Sequence, residues 1–576
     1  MITLSGSPVS SGLAIGKAFV FSHSQPHVIH EHLPDKASAK REEQRFIAAS
    51  DEVYAQIEAL IAHASSKDET ELLEAQLLMV RDPEITNEVS HLINDELYNA
   101  AWAVETAADK LIKALSSLPD ELFRERRSDV GEISARVIAA LTSEPTISFS
   151  FEEKKIIVCD TLLPLEFISM GKDKILGIVL ESGGSASHIA ILARSALIPC
   201  VMGVHGAATS VTEGSLVAID GDKGKFYIDP DKAQLDAIYE EEKRRKEHAK
   251  CLEEDALLPA ITTDGKRIIL ECNIEGPSSV PVALNAGCEG IGLLRTEFLL
   301  MDRTFSDNIE EASTKVYSSI ASSFKNRGSV TIRTYDIGGD KVISDIGIDE
   351  DNPVLGWRAV RFCMDRKDIF RCQLRAILRA SINGNVRIMF PMISGLEELE
   401  GVLDFFEEVK EECRRDGIAF DENMKVGIMI EVPSAAITSD LLAKKVDFFS
   451  VGTNDLVQYT IAVDRGNDKI SYLYNTLHPA VLRLLKLTAD NAKEANIEIA
   501  MCGEMAGDLR AIPLLVGLGY TSLSMSGARV LEARHLIRSI SYEESVALAS
   551  KALNMTSYRD IEQLLEDFHA EIGNKK

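Results

Sequence analysis

The chain is short of positive charge: 62 lysines and arginines face 90 aspartates and glutamates, a formal net charge of −28. A phosphate backbone would be repelled, which argues against nucleic-acid binding but leaves room for a basic pocket or a basic protein partner. No stretch approaches the ~20 apolar residues of a membrane helix, so no membrane insertion is expected. Met1-Ile2-Thr3-Leu4-Ser5 has no basic segment followed by an apolar run, so no signal peptide is expected. The nine cysteines are scattered singly without a CxxC pair, which argues against a zinc site or a disulfide framework. A reducing cytoplasm is therefore the expected location. There is also no Gly-rich phosphate loop of the nucleotide-binding kind.

What is present is a chain of 576 residues, too long for one core and suited to three or four domains. Residues 1–22 read as β segments punctuated by Gly12 and Gly16. From 34 to 143 helical periodicity takes over, as in Glu71 to Val80, halted by Arg81-Asp82-Pro83, then in Ala101 to Leu115 and Asp129 to Leu141. This predicts an all-α bundle. Over 145–230 strands alternate with a helix, predicting a small α/β domain that the first 22 residues complete, with the helical unit inserted into it. Residues 231–258 form a charged helix containing Glu240-Glu241-Glu242-Lys243-Arg244-Arg245-Lys246, a solvated linker. Over 259–576 eight buried-strand candidates alternate with helices, at 268–274, 290–296, 329–335, 386–392, 425–432, 447–453, 498–503 and 521–526. That is the arithmetic of a (β/α)₈ barrel, whose chemistry sits at the strand C-termini. The fold class is thus multidomain α/β, ending in a TIM-type barrel.

The predicted strand ends carry Asn273, Arg295, Arg333, Glu431, Asn454-Asp455 and Cys502. Guanidinium forks match phosphate and carboxylate oxygens bidentately, so Arg295, Arg333, Arg358 and Arg465 point to a substrate bearing both groups. Glu431 follows four apolar residues and Asp455 is read as the end of the next strand. Two carboxylates there, with room for waters and substrate oxygens, suit Mg²⁺. Cys502 reads either as an acid/base or as a nucleophile. Upstream, Gly183-Gly184-Ser185-Ala186-Ser187-His188 leads into the periodic Ile189, Leu192 and Ala193, so a helix should begin at Ser185 or Ser187. His188 then sits in a first turn that favours an anion and suits a phosphoryl carrier. By itself the window reads more readily as a capped helix with an incidental histidine.

Together these segments resemble Enzyme I of the phosphoenolpyruvate-dependent sugar phosphotransferase system, over essentially the whole chain. The barrel carries RTEFLxMDR at 295–303, IGGDK at 337–341, NPxLGWRAxR at 352–361 and QLRAILRAS at 373–381. It continues with RIMFPMI at 387–393, GTNDLxQYTxAVDRGND at 452–468 and CGExAGD at 502–508, and GGxxSHxxIxARS stands upstream at 183–195. The resemblance implies a swivelling α/β domain whose His188 is phosphorylated on Nε2, and a barrel that binds phosphoenolpyruvate and releases pyruvate. It implies substrate binding by Arg295, Arg333, Asn454, Asp455 and Arg465, supported by Arg358. Glu431 and Asp455 become ligands of Mg²⁺, and Cys502 the proton donor to the enolate. The helical insertion, with Glu125-Arg126 and Asp129-Val130, is where the histidine phosphocarrier HPr would dock, and the barrel would form a homodimer. Pyruvate, phosphate dikinase and phosphoenolpyruvate synthase share the histidine and the barrel but need an ATP-binding domain for which no length remains.

The histidine segment departs from the family. The usual GGRTSHT reads Gly183-Gly184-Ser185-Ala186-Ser187-His188-Ile189, and a threonine-proline-serine segment is replaced by Leu162-Leu163-Pro164-Leu165-Glu166. A hydroxyl expected to orient the imidazole is lost, and Gln76 stands where some members have histidine. Slower transfer with His188 retained is one consequence. A phosphoenolpyruvate-sensing regulatory or scaffold protein is the alternative.

Overall fold

The computed structural model describes residues 2–21, 28–61, 67–116, 122–142, 153–184, 187–301, 309–338, 352–465, 467 and 469–574. Ser185, Ala186 and residues 302–303, 339–341, 466 and 468 of the sequence motifs lie outside the described residues, as do the side chains of Glu125, Arg126 and His188. The chain divides into two compact units, Met1–Arg245 and Lys246–Lys576. The division falls within the charged helix Lys232–Asp255.

In the first unit, β1 (Ile2–Ser5), β2 (Ser7–Ser10), β3 (Leu13–Phe21), β4 (Lys155–Cys159), β5 (Ile175–Leu180), β6 (Cys200–Met202), β7 (Leu216–Asp220) and β8 (Lys225–Ile228) form one sheet. Their order is β1-β8-β7-β3-β4-β5-β6-β2, with β3 to β6 parallel and the remaining pairs antiparallel. Alternation along each strand sends Ile157, Ile178 and Cys200 to one apolar cluster and Ile156, Val179 and Val201 to another. Between β3 and β4 lie five helices, Lys36–Ile61, Lys67–Val80, Pro83–Asn94, Ala100–Ser116 and Leu122–Thr142. Their apolar stripes meet around Phe46, Val53, Val89, Ile93, Val104 and Val137. The expected stop at Arg81-Asp82-Pro83 is also a start: Asp82 caps the next helix, accepting from Glu84 N, with Pro83 in its first turn.

The second unit is a closed barrel of eight parallel strands, as the strand–helix alternation predicted. They are β9 (Ile269–Ile274), β10 (Gly290–Leu294), β11 (Val330–Arg333), β12 (Val386–Phe390), β13 (Val426–Ile430), β14 (Phe448–Val451), β15 (Glu498–Met501) and β16 (Ser522–Met525). Each runs a residue or more shorter than expected, and all but β9 stop early at the C-terminal end, where the chain turns out of the ladder to present the polar residues that follow. One expectation changes: Asp455 does not end a strand. β14 stops at Val451, and Asp455 lies in the first turn of the helix Thr453–Ile461. The carboxylate therefore approaches the barrel mouth from a helix start, where the dipole favours negative charge. At the opposite end, Arg387 is buried and donates to Glu271 at 3.3 Å and Glu498 at 2.8 Å. It closes the bottom of the barrel, away from the mouth.

Candidate active site

The segments that follow β10, β11, β13 and β14 deliver one buried charge cluster at the C-terminal end of the barrel. Arg333 is the last residue of β11 and Glu431 follows β13 directly. Arg358 precedes a short helix, Val360–Asp365. Its guanidinium is 2% exposed and lies between two carboxylates. Nε and Nη2 donate to Asp336 at 2.9 and 3.1 Å, while Nη1 and Nη2 donate to Asp455 at 3.0 and 3.2 Å. A fifth donor contact, from Nη1, reaches the Tyr459 hydroxyl at 3.3 Å. Arg333 donates to Glu297 at 2.6 Å and pairs with Asp336 at 3.2 Å, yet its buried Nε makes no hydrogen bond. Burial pulls both arginines toward neutrality, but the surrounding carboxylates outweigh it and the net shift is upward. Both stay charged.

Glu431 is 1% exposed, and its Oε1 accepts from the backbone N–H of Met392 at 2.7 Å. Met392 holds a left-handed φ of +59°, rare for a side chain of its kind, and that turn aims the N–H inward. Gly452 lies on the other side: a Cβ there would stand 3.0 Å from Glu431 Oε2. Burial, then the charges of Asp455 and Asp336, push the Glu431 carboxyl up. With Glu431 ionised, Glu297, Asp336, Glu431 and Asp455 outnumber Arg333 and Arg358 by two charges. A divalent cation on Glu431 and Asp455 would balance that excess, and an all-oxygen carboxylate pair is the donor chemistry Mg²⁺ takes. The residues present fit such an ion.

Cys502 follows β15 and packs in a small apolar cluster with Leu293, Met389, Met429 and Phe448. Its Sγ lies 3.5 Å from the Val451 carbonyl, and burial pushes the thiol up to about 11. It is protonated at neutral pH, which suits an acid and not a nucleophile. Asn273 donates to the Cys502 carbonyl at 2.9 Å and is itself held by the Ser524 hydroxyl at 2.6 Å. Gly503 has no room for a side chain, because a Cβ would meet Thr453 Oγ1 at 1.9 Å. Here β14 and β15 turn out so tightly that the thiol and the Asp455 helix are set side by side.

The mouth opens into a cavity of about 840 Å³, whose lining includes Asn273, Arg295, Gly503, Glu504 and Arg529. Arg295 stands at this rim, donating to Glu275 at 2.9 Å. Asn454 and Glu504 bond reciprocally, through Asn454 Nδ2 at 2.8 Å and the Glu504 N–H at 3.1 Å. The structure thus gathers Arg333, Arg358, Glu431 and Asp455, with Cys502 on the neighbouring strand end. Arg295 and Asn454 stand at the rim. Arg465 is exposed, on the turn beyond the helix Thr453–Ile461, and its N–H donates to Gln458 at 3.3 Å. Sequence reasoning missed Asp336 and Glu297, the counter-ions of the two arginines. Glu297 sat inside a quoted motif and Asp336 directly before another, but nothing in a motif says which charges will be buried together.

In the first unit, Ser187 is the N-cap of the helix His188–Ser195, its hydroxyl accepting from Ala190 N at 3.3 Å. His188 is the first helical residue. Leu163, at the N-cap of Pro164–Met170, makes half of a capping box: its N–H donates to Glu166 Oε2 at 3.0 Å, but leucine offers no acceptor in return. Gln76 is fully buried and donates to Glu132 at 3.1 Å.

Three family models match in this order: PEP-utilising enzyme, N-terminal (5–126); PEP-utilising enzyme, mobile domain (151–224); and PEP-utilising enzyme, PEP-binding domain (249–542). The phosphoenolpyruvate-protein phosphotransferase of Haemophilus influenzae is 37% identical, over 98% of this chain and 99% of that one. The proteins of the same name from Mycoplasma capricolum and Listeria monocytogenes are each 36% identical, covering 98% and 99% of this chain and 98% and 99% of their own. Among solved structures, the NMR solution structure of Enzyme I (nEIt) matches at 28% identity over 42% of this chain and 99% of that chain, with a TM-score of 0.38. With near-complete coverage at such identity, the chain belongs to the family of phosphoenolpyruvate-protein phosphotransferases, the Enzyme I family.

Proposed function

We propose that this chain takes the phosphoryl group of phosphoenolpyruvate onto Nε2 of His188, passes it to the phosphocarrier HPr and releases pyruvate. Phosphoryl transfer from phosphoenolpyruvate to protein is the activity of its family. The observation that carries the assignment to these residues is the buried cluster of Arg333 and Arg358 against Glu431 and Asp455, beside a protonated Cys502. Arg333 offers its unpartnered Nε and Arg295 its rim position to the phosphate and carboxylate oxygens, with Arg358, Asn454, Asp455 and Arg465 completing the set. Glu431 and Asp455 would hold Mg²⁺, which when bound lends positive charge to the phosphoryl oxygens. A neutral His188 imidazole forms the N–P bond as the bond from phosphorus to the enol oxygen breaks. Cys502 gives its thiol proton to the enolate carbon, yielding pyruvate, and recovers a proton from water.

The helix-N-terminal position of His188 lends modest stabilisation to a phosphate that must move on. The helices between β3 and β4 serve as the HPr-docking face, and the barrel as the face of a homodimer. No helix among the described residues is long and apolar enough to cross a membrane, and a cytoplasmic location is proposed with it. Incubation with radiolabelled phosphoenolpyruvate and Mg²⁺ should label the wild type and not His188→Ala, and the label should pass to added HPr. A barrel that binds substrate without labelling His188 would overturn the assignment. The missing Leu163 acceptor favours one second reading, a sensor of phosphoenolpyruvate, which would bind HPr without transfer.

A further inference from the structure

Arg358 has no donor to spare. A guanidinium carries five N–H bonds, and here two go to Asp336, two to Asp455 and one to Tyr459. An incoming phosphate or carboxylate can engage Arg358 only by displacing one of these partners. Asp336 is the deeper: its side chain is 1% exposed and it is shared with Arg333. Asp455 is the looser: its side chain is 11% exposed and rides on the first turn of a helix at the barrel mouth. Arg333, by contrast, already has a buried donor without a partner. An anion therefore meets Arg333 first and then competes with Asp455 for Arg358.

Asp455 is also one of the two carboxylates that suit a divalent cation. With both oxygens accepting from a guanidinium, it offers a cation a partly neutralised ligand. We propose that the Arg358–Asp455 pair is a latch on the metal site, released when the anionic substrate takes the Arg358 fork and frees Asp455 for the cation. The inference rests on the reading that Glu431 and Asp455 hold a divalent ion. It makes substrate and metal bind cooperatively through the protein, beyond any direct contact between them, and reciprocity requires each to raise the affinity of the other by the same factor.

The test titrates Mn²⁺, followed by electron paramagnetic resonance, into the full chain without substrate. Wild type, Arg358→Lys and Glu431→Gln are compared, with thermal unfolding as the check on folding. Lysine keeps the positive charge but cannot hold both Asp455 oxygens at once. Substrate-free Mn²⁺ affinity should rise about tenfold in Arg358→Lys, the loss of one bidentate charged contact. In a His188→Ala background, the extra Mn²⁺ affinity conferred by phosphoenolpyruvate should shrink by a similar factor. Glu431→Gln should bind Mn²⁺ poorly throughout. Unchanged or weaker affinity in a folded Arg358→Lys, with Glu431→Gln still defective, overturns the latch and leaves the metal reading standing. Should Arg358→Lys not fold, Arg358→Gln supplies the same comparison. Full Mn²⁺ affinity in Glu431→Gln, or no Mn²⁺ binding in any protein, overturns the metal reading and the latch with it.

Discussion

Cys502 shows how much the surroundings of one side chain decide. A thiol is a modest acid in water, and its apolar neighbours raise it to about 11, so the proton stays on sulfur at neutral pH, as the proposed proton donor requires. Cys502→Ala should slow pyruvate formation by about 10²–10⁴-fold, the usual contribution of a placed acid. Label on His188, measured in the same samples, should fall less. Leu163 is the converse case, a residue whose chemistry is absent. Leu163→Thr supplies the acceptor that the helix Pro164–Met170 lacks, and a gained cap is worth about 1 kcal/mol. Thermal unfolding should show the first unit stabilised, and phosphoryl transfer to HPr should quicken if that hydroxyl orients the imidazole. Ile189 is different: it is buried among Leu162, Met170 and Met202, so restoring the family's threonine there would bury a hydroxyl in an apolar cluster.

Among the elements, the helix Leu122–Thr142 carries the clearest unresolved charge. Glu132 is buried against Gln76 and Arg136, and burial, more than the nearby Glu166 and Asp129, pushes it up to about 7. Gln76 Oε1, Glu132 Oε1 and Arg136 Nε are all buried without hydrogen bonds. A carboxyl raised in the folded state favours folding while it is protonated. That benefit is complete below the unfolded value near 4.5 and is lost as pH rises through about 7. Above pH 7 the loss amounts to about 3 kcal/mol at most. Glu132→Gln should therefore raise the unfolding temperature of the first unit at pH 8, and the difference should vanish toward pH 4.5. A pH-independent difference in thermal melts would mean that the carboxyl is solvated. The helix Thr453–Ile461 makes the complementary point, since its start, and not a strand end, brings Asp455 to Arg358.

At the scale of the molecule, two compact units with separate cores should unfold as two transitions. All the proposed binding residues for phosphoenolpyruvate and metal lie in Lys246–Lys576, so in a His188→Ala chain these ligands should raise only one transition. At 100 times the dissociation constant the gain is about 2.7 kcal/mol. Calorimetry of the full chain checks this, and a shift of both transitions would place ligand contacts in the first unit as well.

The sequence by itself determined most of the elements and pointed to the candidate catalytic face. Apolar runs and helical stripes are local patterns, so the eight barrel strands and three of the five inserted helices could be found from spacing alone. The strand-end rule then brought Arg333, Glu431 and Cys502 forward before any contact was known. The resemblance in seven barrel segments added roles that no periodicity contains. Only the tertiary structure decided which charges face each other. Arg358 and Asp455 are 97 positions apart, and Gln76 and Glu132 are 56 apart. Their pairing depends on barrel closure and helix packing, which no local window records. Burial turned these pairs into constraints: a guanidinium shut away from water needs counter-charges within the protein, and Asp336 and Glu297 took that role only once Arg333 and Arg358 were enclosed.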